Sequence, residues 1–401
     1  MIETPTTMPP SSTVRRSSHA LALTGAITGA LACGVTLALV GALETWINSS
    51  LVVPHALTGS MQSALFGGNF AGSLLAAWLM YHLGPRRYGL TSLALMLVGT
   101  LLSGMKLYEV IVLARFITGL GYSGAVIFFG AVIVHTYPQR QATYLNIYHA
   151  AFGAGASLTL LAARPIAESF GDWPSAFWIA SAVCLIPLFL FAVARLPNMH
   201  EDEPYNLRAM MHVLESRVII TTFIVSIAYV AAEQALTVFA GTYSQKELGF
   251  TVTQATQVGA LFWAGILAGR LISAAVSRKV SEPLQIIACA LVMAGLMLTG
   301  MTARQTIVLY ASTFLAGLFA GPVVPLAFSF AVRSTERLKS ATYAAANLAS
   351  TVGGVLGPVL VGAIGDRSTL ERGLNTSAII LLASLVPFIY ATVRKAGHTV
   401  T

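Results

Sequence analysis

Charged side chains are scarce in this chain: Asp, Glu, Lys and Arg together make up 9% of its 401 residues, against roughly 25% in a soluble globular domain. So large a deficit points to lipid as the main solvent and excludes an ordinary water-soluble enzyme. Cysteine is rarer still. Cys33, Cys184 and Cys289 all lie in apolar runs, spaced for neither a disulfide framework nor a metal centre, and a buried thiol of this kind behaves as a small hydrophobe. The phosphate-binding Gly-x-x-x-x-Gly-Lys loop, the nucleophile elbow and clustered metal ligands are missing too. No enzyme activity, no cofactor, no metal and no ATP-driven step is therefore expected. The net charge of +8 raises the question of nucleic acid, but so hydrophobic a chain fits the basic-patch pattern poorly. Membrane proteins instead collect Lys and Arg on cytoplasmic loops, and no nucleic-acid partner is expected.

What the chain has in abundance is apolar length, with 56% of its residues hydrophobic. A membrane span takes about 20 mostly apolar residues, and twelve such helices are predicted at 20–44, 59–82, 88–105, 108–135, 141–164, 174–194, 217–243, 253–278, 283–302, 305–331, 339–364 and 373–393. Residues 1–19, rich in Ser, Thr and Pro, read as a disordered cytoplasmic tail. The polar break at 196–216 reads as a cytoplasmic linker between six-helix bundles at 20–195 and 217–394, and 395–401 as a second tail. With both termini inside, fifteen basic residues fall on cytoplasmic segments, six fall outside, and Arg115 and Arg270 fall within spans. This asymmetry follows the positive-inside rule. It predicts an all-α protein of a bacterial inner (plasma) membrane, embedded as a monomer with both termini cytoplasmic.

The two halves repeat each other. Arg140-Gln-Ala-Thr-Tyr144 opens the fifth span and Lys339-Ser-Ala-Thr-Tyr343 the eleventh, with Gly153 and Gly155 answered by Gly353 and Gly354. Ala71-Gly-Ser-Leu74 in the second span matches Ala268-Gly-Arg-Leu271 in the eighth. Both offsets are close to half the chain, as a parallel six-plus-six duplication requires. On these repeats, on Arg115-x-x-x-Gly119-x-Gly121 in the fourth span and on Leu83-Gly-Pro-Arg-Arg87 after the second, the chain resembles the major facilitator superfamily. Tyr81 stands where that family usually carries an aspartate. The resemblance implies twelve transmembrane helices in two pseudo-symmetric six-helix bundles, and gating roles for Arg115, Arg86 and Arg87. Leu145-Asn-Ile-Tyr-His149 through Gly155, Tyr229-x-x-x-Glu233 with Tyr243, and Gly321-Pro-Val-Val-Pro325 look like its fucose–galactose–glucose:proton symporter branch. That narrower resemblance implies a sugar or related polyhydroxylated solute moved with protons. Carboxylates frequent in that branch's first and fourth spans are not matched here: the fourth has Val126-Ile-Phe-Phe129, and the first has no acid before Glu44.

Three charges lie deep within spans, Arg115, Glu233 and Arg270, and such groups normally face a bundle interior or a water-filled cavity. Glu233 lies about 24 Å into the seventh span, where an acid in a partly dehydrated cavity can load and release a proton near neutrality. It is the candidate for proton coupling, with His149 as a relay; the alternative is a structural ion pair with an arginine. Arg270 offers a bidentate fork to a substrate carboxylate, or else packs against Glu233 or a neighbouring carbonyl. Asn146 sits one turn from His149. With Asn69, Gln62, Gln234 and Asn347 it forms the set of candidate polar cavity groups, though such residues also hold membrane helices together. Tyr229, Trp263 and Phe239 can stack on a ring or simply fill the core. Gly353-x-x-x-Gly357-Pro358 and Gly321-Pro322 read as packing and hinge devices.

The leading expectation is a secondary transporter for a sugar or other small polar solute, driven by proton symport, with protons, the solute and the bilayer as its partners. A carrier of small organic anions working through Arg270 and Arg115 is an alternative, and an exporter of drugs or metabolites another. Drug antiporters of this family place Gly-x-x-x-Gly-Pro in the fifth span, which here lacks it. A sensor would need a soluble output domain, and neither tail nor linker supplies one.

Overall fold

A computed structural model describes residues 12–137, 141–196, 211–276, 279–300, 305–335 and 339–398. Twelve long helices account for nearly all of them: α1 Ser12–Leu51, α2 His55–Leu83, α3 Pro85–Leu102, α4 Tyr108–Thr136, α5 Gln141–Ser169, α6 Pro174–Val193, α7 Arg217–Lys246, α8 Val252–Val276, α9 Glu282–Gly300, α10 Thr306–Arg333, α11 Lys339–Arg367 and α12 Leu370–His398. Each coincides with an expected span. The largest difference is at α1, which is already helical from Ser12, inside the segment read as a disordered tail. Its partners in the first turns are not among the described side chains.

Ten of the helices are long and apolar enough to cross a bilayer. The two outside that group are α2, which carries Gln62 and Asn69, and α3, which opens on Pro85-Arg86-Arg87. In both cases a few strongly polar residues offset an otherwise apolar helix. The polar groups of α2 turn inward, as described below. Large apolar side chains such as Trp78, Phe189, Ile307, Val386 and Val393 are exposed around the perimeter, a surface that only lipid can cover.

The packing repeats with the sequence. In the first half α1 lies against α5 and α6, and α4 against α2 and α3; in the second, α7 lies against α11 and α12, and α10 against α8 and α9. The matched glycines explain why. A Cβ at Gly155 would run into the Leu31 carbonyl of α1, and one at Gly353 into the Ile227 carbonyl of α7. Likewise Gly72 meets the backbone of α4 at Leu120, and Gly269 the backbone of α10 at Leu318. Without a hydrophobic force between helices in lipid, such close backbone approach is what holds a bundle together. The halves join through two equivalent seams, α2 on α11 and α5 on α8, with α1 on α7 between them.

Since α1 begins and α12 ends on one face of the bundle, that side is called here the terminal face, and the other the opposite face. Gly155→Ala should cost about 1–3 kcal/mol, as overpacking does, and lower the melting temperature of the purified protein. Gly130→Ala, where a Cβ meets nothing within 4 Å, should leave it unchanged.

Candidate functional site

Between the two halves lies a cavity of 720 Å³, within the usual range for small-molecule sites. Its mouth is at the terminal face, marked by Glu282 at the start of α9 and Arg333 at the end of α10. These two pair at 3.4 Å, and Ser329 donates to Glu282 at 2.6 Å. The walls are largely carbon, from residues such as Leu37, Phe66, Val126, Val230 and Leu267. Into this apolar chamber project Glu233 and Gln234 from α7, Arg270 from α8, Asn69 and Ser73 from α2, Asn347 from α11 and His149 from α5. Six of the residues expected to bind solute or protons are thus brought together from five helices.

Arg270 is held by a break in α10. Pro325 cannot donate the N–H that the Gly321 carbonyl would receive in an unbroken helix, and Nε of Arg270 donates to that carbonyl at 3.4 Å. No carboxylate lies within 4.0 Å of this guanidinium among the described residues. The expectation of a neighbouring-carbonyl contact therefore holds for Nε, and the fork of terminal nitrogens remains in the cavity wall. In the other half Ser73 occupies the position related to Arg270 by the repeat. Ser73 shares a hydrogen bond with Ser123 at 2.8 Å and accepts one from Asn347 Nδ2 at 3.3 Å, linking α4, α2 and α11.

Arg115 takes a different place. It is fully buried and lines no part of this cavity. One terminal nitrogen donates to the Thr36 carbonyl at 2.8 Å, the other to Gln62 Oε1 at 2.9 Å. Gln62 in turn donates to Gln234 Oε1 at 3.2 Å, and Gln234 to Glu233 Oε1 at 3.2 Å. A continuous chain of hydrogen bonds thus runs from a guanidinium on α4 through α2 to a carboxyl on α7. It crosses from one half to the other at the blind end of the cavity.

Beyond that chain the halves are locked. Glu44, fully buried on α1, bonds His55 Nδ1 at 2.7 Å through one oxygen and takes a hydrogen bond from Thr242 of α7 through the other. The two carboxylate oxygens of Asp366, on α11, each accept at 2.7 Å from the backbone N–H groups of His55 and Ala56, which open α2. These are otherwise orphan donors at a positive helix end. Glycines close the remaining gaps: a Cβ at Gly41 would strike the Thr237 carbonyl, and one at Gly59 the Pro358 carbonyl. Glu44, His55 and Asp366 were not among the sequence candidates. Each lies near a helix end, where an ionisable residue looks like any loop charge until its partners on other helices are known.

Tyr229 is fully buried one turn from Glu233 and stands behind the cavity wall, because it shares the face of α7 that packs into the core. Phe239 is buried against the ring of His55, at 6.1 Å, near the opposite face. Trp263 does line the cavity, edge-on to Phe152 at 5.6 Å, and Phe152 is edge-on to Tyr122 at 6.4 Å. Phe152, Tyr122 and Tyr148 were missed, since an aromatic at helical spacing reads as core. Arg86 donates to the Ala192 and Ala194 carbonyls at the end of α6, so it ties helices within one half. Arg87 is exposed. The side chain of Asn146 lies outside the described residues, as does Arg140. No cluster of His, Cys, Asp or Glu able to hold a metal occurs among the described residues.

The same two-bundle arrangement around a central cavity is found among known proteins. The model of the Major Facilitator Superfamily matches residues 25–358. The chain belongs to that superfamily. Among solved structures it is similar to a point mutant of the nucleoside transporter NupG, with a TM-score of 0.79 at 12% identity, covering 92% of this chain and 99% of that one. A bacterial homologue of the human lysosomal transporter Spinster, in an inward-facing and occupied conformation, superposes with a TM-score of 0.76 at 14% identity over 96% of this chain and 98% of that one. At such identities the likeness concerns the fold. Uncharacterized protein Cj0987c of Campylobacter jejuni is 24% identical over 219 residues, 54% of this chain and 68% of that protein. The chain is thus a membrane-embedded member of a transporter family, with the expected major facilitator fold.

If Asp366 and Glu44 hold the opposite face shut, removing their charge should loosen it. Replacing Ser63, buried between α2 and the Val355 carbonyl of α11, by cysteine provides a reporter. In that background Asp366→Asn should raise the rate of labelling from the opposite face about tenfold, the equivalent of roughly 1.4 kcal/mol for charge-assisted bonds at a helix N-terminus. An unchanged rate would mean the carboxylate is not part of the lock.

Proposed function

We propose that the chain is a secondary active transporter that binds a small polar organic solute in the central cavity and carries it by alternating access, with Glu233 coupling the cycle to protons. The observation behind this reading is the cavity itself, an apolar chamber into which both halves project polar groups. It lies between two pseudo-symmetric halves, open at one face and sealed at the other by groups drawn from both. A carrier needs such an arrangement, because separating Glu44 from Thr242 and Asp366 from α2 would open the second path. The amides Asn69, Gln234 and Asn347 suit a solute rich in hydroxyls, as the resemblance to the sugar symporter branch implies, and His149 stands near enough to the mouth to relay a proton. The basic residues collected on the terminal face favour placing that face in the cytoplasm. The structure would then be the inward-open state of a plasma-membrane protein.

Glu233 is the residue to change. In this reading it exchanges a proton with the cavity while its hydrogen bond to Gln234 reports its state to the chain ending at Arg115. Reconstituted into vesicles, Glu233→Gln should abolish accumulation of the transported solute against its gradient and leave counterflow at or near the wild-type rate. Accumulation by the variant at wild-type level would remove the proton role from this residue.

A further inference from the structure

We infer that the solute is an organic anion with a flat apolar body, of the aryl carboxylate class, its carboxylate taken by the free fork of Arg270 and its ring by the aromatic wall of Phe152 and Trp263. This rests on the reading of the cavity as the transport site and narrows it away from a neutral sugar.

Charge balance carries the first part. Among the described residues, the interior of the bundle around the cavity holds two guanidinium groups, Arg115 and Arg270, against one carboxyl, Glu233. Glu282 and Arg333 at the mouth cancel each other at 3.4 Å. Arg115 donates through its terminal nitrogens to Thr36 and Gln62, while its Nε finds no acceptor among the described residues, and it reaches Glu233 only through two amides. Protonation of Glu233 would leave both cations without any counter-charge. A cation in a low-dielectric interior is tolerated when it is paired, and Arg270, which feels Glu233 only at a distance, bonds directly to a carbonyl alone, at 3.4 Å on Nε. Its planar fork matches a carboxylate in geometry as well as charge, so an entering anion would supply the missing partner.

The shape of the wall carries the second part. Tyr122 of α4, Phe152 of α5 and Trp263 of α8 follow one another edge to face along the cavity, at centroid distances of 6.4 and 5.6 Å. Aromatic side chains bind flat rings well by offset or edge contacts. The indole N–H of Trp263 finds no acceptor among the described residues. A hydroxyl-covered solute would find partners at Asn69, Gln234 and Asn347 but strand its remaining polar groups against Leu37, Phe66, Val126 and Leu267, whereas a ring buries there without penalty. Arg270 and Trp263 are both on α8, seven residues and two helical turns apart. One ligand of modest length can therefore touch both.

The test uses the full-length protein purified in detergent, with thermal stability and isothermal calorimetry read against benzoate, phenylacetate, 3-phenylpropionate, the methyl ester of each, gluconate, glucose and uridine. At least one of the three aryl carboxylates should bind, and its methyl ester should not. Arg270→Gln, which keeps an N–H donor for Gly321, should weaken that binding roughly 30-fold or more, and Phe152→Leu should weaken it several-fold. The inference is overturned if none of the three binds, if ester and acid bind alike to the wild-type protein, or if Arg270→Gln has no effect. It is equally overturned if gluconate, glucose or uridine binds in place of the aryl acids, although the carrier reading would then stand, with another substrate. Failure of the carrier reading itself would appear elsewhere. In that case a bound aryl acid would show no counterflow in vesicles.

Discussion

A guanidinium, two carboxamides and a carboxyl, joined in the order Arg115, Gln62, Gln234 and Glu233, form a polar thread that crosses between the halves in the middle of the bundle and has an ionisable group at each end. In lipid, water cannot solvate a buried charge, and an unpaired polar group there costs several kcal/mol. Both ends of this thread are therefore obliged to keep their partners, and the partners belong to different halves. On the terminal side of the thread lies the cavity. On the other side α1, α2, α7 and α11 close together through Glu44, His55, Thr242 and Asp366. The position of the thread sets where the cavity ends.

Pseudo-symmetry gives the frame, and departures from it give the chemistry. The same small residues let α5 approach α1 and α11 approach α7, so the two bundles are built alike. Yet the repeat places Ser73 in one half where Arg270 stands in the other. Serine satisfies itself with Ser123 and Asn347. The arginine needs more, and the Gly321-Pro-Val-Val-Pro325 break in α10 releases a carbonyl for part of it. What that carbonyl does not satisfy is turned toward the chamber.

Most of the fold was legible in the sequence because lipid imposes a simple rule: an apolar stretch long enough to cross is a helix, and its ends are polar. The site was legible only in part. Glu233 and Arg270 stood out as charges where charges are expensive, and both face the cavity. Arg115 stood out for the same reason, yet its terminal nitrogens go to a backbone carbonyl and to the amide of Gln62, both buried away from the cavity. Tyr229 and Glu233 share a helix and lie one turn apart, but only Glu233 lines the chamber, since the phase of a helix with apolar residues all round cannot be read from spacing. The lock at the opposite face was invisible for another reason. Its acids sit at helix ends, and their partners are separated from them by as many as 311 positions in the chain.

If the cross-half thread holds the opposite face closed while the terminal face is open, breaking it should move both faces. Spin labels at Val52 and Ser368 report the opposite face and labels at Tyr81 and Lys279 the terminal face, all at exposed positions. Distance distributions for both pairs, measured by pulsed electron resonance in nanodiscs with and without Gln62→Ala, test it directly. Cutting the thread should lengthen the opposite-face distance and shorten the terminal-face distance in the same molecules. Two distances that both stay fixed, or that change independently of each other, would contradict it.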